Sequence, residues 1–173
     1  MHPKILLTSF TTWLAHQPSN ASDDLLAEVA SRIPSPEQFA FLRQLPVDTA
    51  QASQIAIAKI KTWQPDAIVC CGMAERRADL SVESTAYCGQ ECLQTPVNLK
   101  TLLTDLERVK ISHDAGKFVC EGLYYAVLHF LHTQALSASC LFVHVPILTP
   151  TNKAVILEDF LAILQRLQNP ETF

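Results

Sequence analysis

Three side chains in this sequence have the types that nucleophilic acyl transfer uses: a thiol, an imidazole and a carboxylate. Cys120 follows the turn Asp114-Ala115-Gly116 and falls in the first turn of a helix read from Val119 to Thr133. Free backbone N–H groups and the positive end of a helix dipole gather there. Both favour a thiolate over a thiol, which is how a nucleophilic cysteine is activated. Read by itself, the same residue also suits a small apolar filler of the core. His144 ends the apolar run Leu141–Val145, just before Pro146. Strand alternation puts Leu141, Val143 and Val145 on one face and Phe142 and His144 on the other. A histidine at the carboxyl end of a buried strand is placed to act as a general base, or to stay at the core edge bonded to a backbone carbonyl. Glu83 closes the segment Arg76-Arg77-Ala78-Asp79-Leu80-Ser81-Val82-Glu83 after a strand at Ala67–Gly72. A carboxylate there could orient an imidazole and hold its tautomer, although a solitary glutamate is usually solvated.

Positioning these groups falls to elements that alternate along the chain. Lys4–Ser9 reads as a first buried strand; Thr8, Ser9, Thr11 and Thr12 interrupt the apolar stretch too early for a signal peptide, and no A-x-A-like site follows. Ser22 is placed to cap a helix carrying Leu25, Leu26, Val29 and Ile33, ended by Pro34. Phe39–Val47 is extended, and Thr49–Trp63 is helical with Ala52, Ile55, Ala56, Ile60 and Trp63 on one stripe. Ala67–Cys71 is a continuous apolar run, as in strands covered on both faces. Tyr87–Val97 reads as a loop. Asn98 opens a helix carrying Leu99, Leu102, Leu103 and Leu106, and Val109–Ile111 is a short strand. After the helix Val119–Thr133 and the strand Leu141–Val145, Asn152 opens a last helix with Ile156, Phe160, Ile163, Leu164 and Leu167 facing inward. This order predicts one α/β domain over residues 1–173, with a mostly parallel sheet and helices on both faces. Ligands in such sheets sit beyond the carboxyl ends of the strands.

Composition narrows the function further. With 49% hydrophobic and 17% charged residues the chain can build a sizeable core. A net charge of -4 without a basic stripe argues against a nucleic-acid partner. No stretch reaches the roughly 20 apolar residues that span a bilayer, so no membrane role is expected. Four glycines, in neither phosphate-loop pattern, leave no cradle for a nucleotide. Six cysteines occur without a C-x-x-C pair. A structural metal site is therefore not expected, and the thiols read as free ones in a reducing, cytoplasmic compartment. His129 and His132 lie three apart on a helix, but no carboxylate stands at helical spacing to complete a metal site.

The segment Ser112-His113-Asp114-Ala115-Gly116-Lys117-Phe118-Val119-Cys120-Glu121-Gly122-Leu123-Tyr124-Tyr125-Ala126-Val127-Leu128-His129 resembles the nucleophile segment of the pyroglutamyl peptidase I (pyrrolidone-carboxylate peptidase) family of cysteine peptidases, S-N-T-A-G-x-[FY]-V-C-N-x-x-x-Y-x-x-L-H. Phe142-Val143-His144-Val145-Pro146 is similar to the family's [FI]-H-V-P segment. Gly72 to Ala86 is similar to G-Q-A-x-x-R-x-x-[IL]-x-x-E-x-x-A. Leu6-Leu7-Thr8-Ser9-Phe10 and Leu45-Pro46-Val47 follow the opening strand and the L-P-V segment. The resemblance runs over nearly the whole chain in the same order. It implies a three-layer α/β/α sandwich with a mostly parallel central sheet (phosphorylase/hydrolase-like). It implies a Cys120-His144-Glu83 triad, with Arg77 as the active-site arginine supporting the oxyanion beside the Cys120 N–H. It also implies a pocket holding Phe10, Trp13 and Met73, with the two rings flanking a flat lactam. The implied partner is a small peptide with an N-terminal pyroglutamate. No metal or organic cofactor is required, and a homo-oligomer is compatible.

The departures fall in the recognition shell. The family's pocket loop G-F-x-P-F-G-G is Ser9-Phe10-Thr11-Thr12-Trp13-Leu14-Ala15 here, with the proline and three glycines gone. Met73 stands for a pocket glutamine. Glu121 stands for the asparagine after the nucleophile, where an inward-pointing charge would oppose a thiolate. His113-Asp114 replaces Asn-Thr, and the Tyr87–Val97 segment is shorter than the family's. Three functions stay open on these residues: a pyroglutamyl peptidase, a diverged thiol hydrolase with another small acyl substrate, or a non-catalytic binding protein on the same scaffold.

Overall fold

A computed structural model describes residues 3–33 and 36–169 of the chain; Pro34, expected to end the first helix, lies outside them. Its elements are β1 (Ile5–Phe10), α1 (Ala21–Arg32), β2 (Phe39–Leu45), α2 (Thr49–Trp63), β3 (Ala67–Met73), β4 (Ser81–Glu83), β5 (Thr85–Cys88), β6 (Glu91–Gln94), α3 (Leu99–Leu102), β7 (Lys110–Ser112), α4 (Val119–Thr133), β8 (Ser139–Val145) and α5 (Lys153–Leu167). Six strands form one sheet in the order β2-β1-β3-β8-β4-β7. The neighbours β2, β1, β3 and β8 are parallel, whereas β4 runs antiparallel to β8 and carries β7 with it.

Two apolar layers cover this sheet, as its alternation requires. Leu7, Val69, Leu141, Val143 and Val145 pack under α1, α3 and α5. Leu6, Ile68, Cys70, Cys140 and Phe142 pack under α2 and α4 on the opposite face. The three-layer α/β/α architecture is therefore present. The inward residues expected of α5 are all buried, and so are Ala52, Ala56 and Ile60 of α2. Ile55 departs from the expected stripe and is 42% exposed.

Four local expectations are corrected. Asn20, not Ser22, caps α1: its Oδ1 accepts from the Ser22 N–H at 3.0 Å. Tyr87–Val97 is no loop, because β5 and β6 form a two-stranded hairpin turning at Gly89-Gln90. The helix after Asn98 closes after one turn, and Leu103 and Leu106 lie beyond it. Residues 81–83 form a strand that was not foreseen, and it reverses the direction of the far edge, including β7. Three residues are too few to show a period of two. Among the described residues, no helix is long and apolar enough to cross a membrane.

Candidate active site

The site is built from the sheet outward. His144 is the penultimate residue of β8 and faces the α2/α4 side, in line with Phe142. Its ring lies 4.8 Å, centroid to centroid, from that of Phe142, and only 5% of the residue is exposed. Neighbours of this kind, each stabilising by roughly 1.5–3 kcal/mol when fully buried, leave the imidazole little rotational freedom.

β4 brings the carboxylate. Its antiparallel register sets Ser81 against His144 and Glu83 against Phe142, so Glu83 stands one diagonal step from the imidazole on the same face. Glu83 Oε1 lies 2.7 Å from His144 Nδ1 and accepts from Arg77 Nη1 at 2.6 Å. An ionised carboxylate only accepts, so Nδ1 carries the proton and Nε2 is left as the basic nitrogen. Burial, the largest single effect, pushes the Glu83 carboxyl up, but the hydrogen bond and charge of His144 together with hydrogen bonds from Ser112 and Arg77 outweigh it, and the pKa falls below the ordinary 4.5. Tyr124 from α4 donates to the Glu83 carbonyl at 2.9 Å and pins β4 from below. Arg77 spends both terminal nitrogens on protein: Nη1 on Glu83, Nη2 on Ser112 Oγ at 3.3 Å and the Asp114 carbonyl at 3.0 Å. It clamps the carboxylate and the turn before α4.

The thiol arrives on α4. Cys120 is the second residue of that helix, where backbone N–H groups have no intrahelical acceptor. Its Sγ rests on Gly72: a Cβ built there would lie 2.6 Å from the sulfur. Gly72 pairs in register with His144 across parallel strands, so the sulfur sits over the strand next to the one that carries the imidazole. Both line a cavity of about 380 Å³. The expectation of a thiolate is corrected. Burial pushes the Cys120 thiol up to about 12, with Cys70 and Glu83 adding to it and Arg77 opposing it. The helix N-terminus does not overcome desolvation, and the raised pKa favours the thiol over the thiolate.

The remaining expected residues are distributed around that cavity. Phe10, 2% exposed, forms part of its wall. Trp13 is 55% exposed at the mouth, and its ring pairs not with Phe10 but with Phe118, at 4.8 Å between centroids. Met73 lines the cavity while its sulfur accepts from the Ala21 N–H at 3.3 Å, at the start of α1. The loop lacking the family's glycines is held by side chains instead. Gln17 accepts from the Trp13 and Leu14 N–H groups at 3.2 Å each and donates to Glu75 at 2.6 Å. Glu121 turns away from the thiol and accepts from the Tyr87 N–H at 3.3 Å. His113 hydrogen-bonds Ser84 Oγ at 2.5 Å. Among the described residues all six cysteines are free, and no group of three His, Cys, Asp or Glu could hold a metal. Sequence reasoning missed the parts played by Phe118 and Gly72. Nothing local marks either, since each acts through a residue distant in the chain.

A buried imidazole hydrogen-bonded to a carboxylate, beside a cysteine at a helix start on a three-layer α/β/α scaffold, is an arrangement of the kind thiol hydrolases use. Known proteins narrow it. The pyrrolidone-carboxylate peptidase of Vibrio vulnificus (strain YJ016) is 29% identical over 172 residues, covering 84% of this chain and 79% of the relative. Pyrrolidone-carboxylate peptidase 2 of Caldanaerobacter subterraneus subsp. tengcongensis is 28% identical, covering 84% and 82%. The solved pyroglutamyl peptidase I of Bacillus amyloliquefaciens superimposes with a TM-score of 0.77 at 19% identity, over 95% of this chain and 92% of that one. A mutant pyrrolidone carboxyl peptidase of Pyrococcus furiosus gives 0.81 at 18% identity, over 98% and 100%. No protein-family model matches the chain. The chain is thus similar in sequence to pyrrolidone-carboxylate peptidases and shares the fold of their solved structures.

Proposed function

We propose that the protein is a cysteine peptidase that hydrolyses the amide bond after an N-terminal pyroglutamyl residue, with Cys120 as nucleophile, His144 as general base and acid, and Glu83 as the group that orients His144. The observation that carries this reading is the 2.7 Å contact from His144 Nδ1 to Glu83 beside the cavity shared with Cys120. His144 Nε2 takes the thiol proton as sulfur attacks the amide carbonyl carbon. The developing oxyanion meets the Cys120 backbone N–H at the helix start. Arg77 acts as a positioning residue through Glu83. The imidazolium gives its proton to the leaving nitrogen, the C–N bond breaks, and an acyl thioester remains. Water, deprotonated by His144, attacks it; the C–S bond breaks, pyroglutamate leaves and the thiol is restored. Phe10, Trp13 and Met73 supply the acyl pocket. A reducing compartment such as the cytoplasm suits the six free thiols.

The test is cleavage of pyroglutamyl-aminomethylcoumarin by the wild type and by Cys120→Ala. Turnover is expected from the first and none from the second; turnover surviving the substitution overturns the nucleophile assignment. One observation favours a second reading, a hydrolase for another small acyl group. Met73 offers the cavity no hydrogen-bonding amide, and its sulfur is engaged with Ala21. Rapid alkylation of Cys120 without pyroglutamyl turnover would select that reading.

A further inference from the structure

The cavity beside Cys120 carries a charge pattern opposite to that of the chain. The chain is net -4, yet three cations, Arg76, Arg77 and Lys117, line the cavity with a single carboxylate, Glu75. Arg77 is committed to Glu83, Ser112 and the Asp114 carbonyl. Arg76 and Lys117 are exposed, and among the described residues neither makes a hydrogen bond or an ion pair. The carboxylates that could neutralise them are turned elsewhere. Glu75 accepts from Gln17 at 2.6 Å and lies 3.1 Å from His16. Glu121 accepts from the Tyr87 N–H, and Asp114 Oδ1 from the Gly116 N–H at 2.9 Å. Glu75 and Glu121 feel Arg76 and Lys117 only through space.

The two cations come from different segments: Arg76 follows β3, and Lys117 stands three residues before Cys120. Both are at the solvent side, whereas Phe10 and Met73 lie deeper. An acyl group seated against Phe10 and Met73 leaves its amine toward the exposed rim that carries both cations. In a leaving amino acid, a carboxylate oxygen is within about 3.6 Å of the scissile nitrogen, inside the reach of a lysine or arginine on that rim.

We infer that Arg76 and Lys117 form an anion-recognising rim that selects substrates whose leaving amino acid keeps a free α-carboxylate, so that N-acyl dipeptides are preferred over capped or longer peptides. The inference rests on the hydrolase reading above and adds the class of leaving group. Because the rim is exposed, its effect is modest and salt-sensitive.

The experiment compares pyroglutamyl-alanine with pyroglutamyl-alanine amide, using wild type and the double variant Arg76→Gln/Lys117→Gln. In the wild type the acid is expected to have a kcat/KM about five- to tenfold above the amide at low salt, carried by KM and reduced several-fold at about 0.5 M NaCl. In the double variant the preference disappears. Equal rates in the wild type, or a preference that survives both substitutions, overturns the rim. A readout independent of turnover is protection of Cys120 from iodoacetamide by each peptide. If neither peptide is cleaved, the pyroglutamyl peptidase reading fails, and the rim is still decided: protection by the acid at several-fold lower concentration than the amide supports it, and equal or absent protection overturns it.

Discussion

Replacing Gly72 with alanine tests the geometry at its tightest point. The added Cβ would lie 2.6 Å from Cys120 Sγ and 2.9 and 3.1 Å from two ring carbons of Phe142. Ordinary carbon contacts begin near 3.5–4.0 Å, so roughly 1 Å of space is missing. Neither neighbour yields easily: Phe142 is fully buried within the sheet, and Cys120 is fixed in the first turn of α4. Overpacking of this kind costs about 1–3 kcal/mol, or a fall in Tm of roughly 2–12 °C for a chain of this size. Turnover should suffer more, because displacing a reacting group by about 1 Å costs on the order of 100-fold. Gly122→Ala is the control. Its Cβ would press on the Thr49 side chain, at the contact between α2 and α4, and lower Tm without pressing on the thiol. The measurements are Tm, iodoacetamide alkylation of Cys120 and kcat for pyroglutamyl-aminomethylcoumarin. Gly72→Ala protein that melts lower yet alkylates and turns over like the wild type would refute the view that the sulfur is seated against Gly72 beside His144.

Other outcomes follow from the same geometry. Alkylation of wild-type Cys120 should keep rising with pH past the ordinary thiol value of 9.0, because burial lifts its pKa to about 12; a plateau at neutral pH would show a resting thiolate instead. Glu83 has a depressed folded pKa relative to 4.5, so its stabilising contribution is complete above that value and is lost as pH falls through the folded pKa. Tm measured against pH should therefore drop less on the acid side in Glu83→Gln than in the wild type, and an identical acid limb in both would contradict the ion-pair assignment. Trp13→Ala and Phe118→Ala should each raise KM by up to about tenfold, since an aromatic pair contributes about 0.5–1.5 kcal/mol. The double variant should cost less than the sum of the two, and strict additivity would mean that the rings act separately.

The elements that could be read from the chain are those whose cause is local. The helix expected over Thr49–Trp63 has those bounds in the structure, because its polar and apolar residues alternate with the helical period across fifteen positions. The alternation along Leu141–Val145 put His144 on the same face as Phe142, and the site is built on that face. Resemblance of motifs carried the rest of the residue set, since Glu83 by itself has no distinguishing local mark. Opaque elements are short or depend on distant partners. The three residues of β4 become a strand only when β8 and β7 flank them. The β5–β6 hairpin lies in a stretch with no sustained alternation.

Residue types and their spacing along the chain determined that a thiol, an imidazole and a carboxylate were available, and that the first would start a helix and the second would end a strand. Their relation belongs to the fold. Glu83 and His144 are 61 positions apart and meet only because β4 pairs antiparallel with β8. The place of Cys120 at a helix start by itself favours a thiolate, because dipole and free N–H groups are properties of local backbone. Desolvation depends on every element packed around the sulfur, and here it is the larger effect.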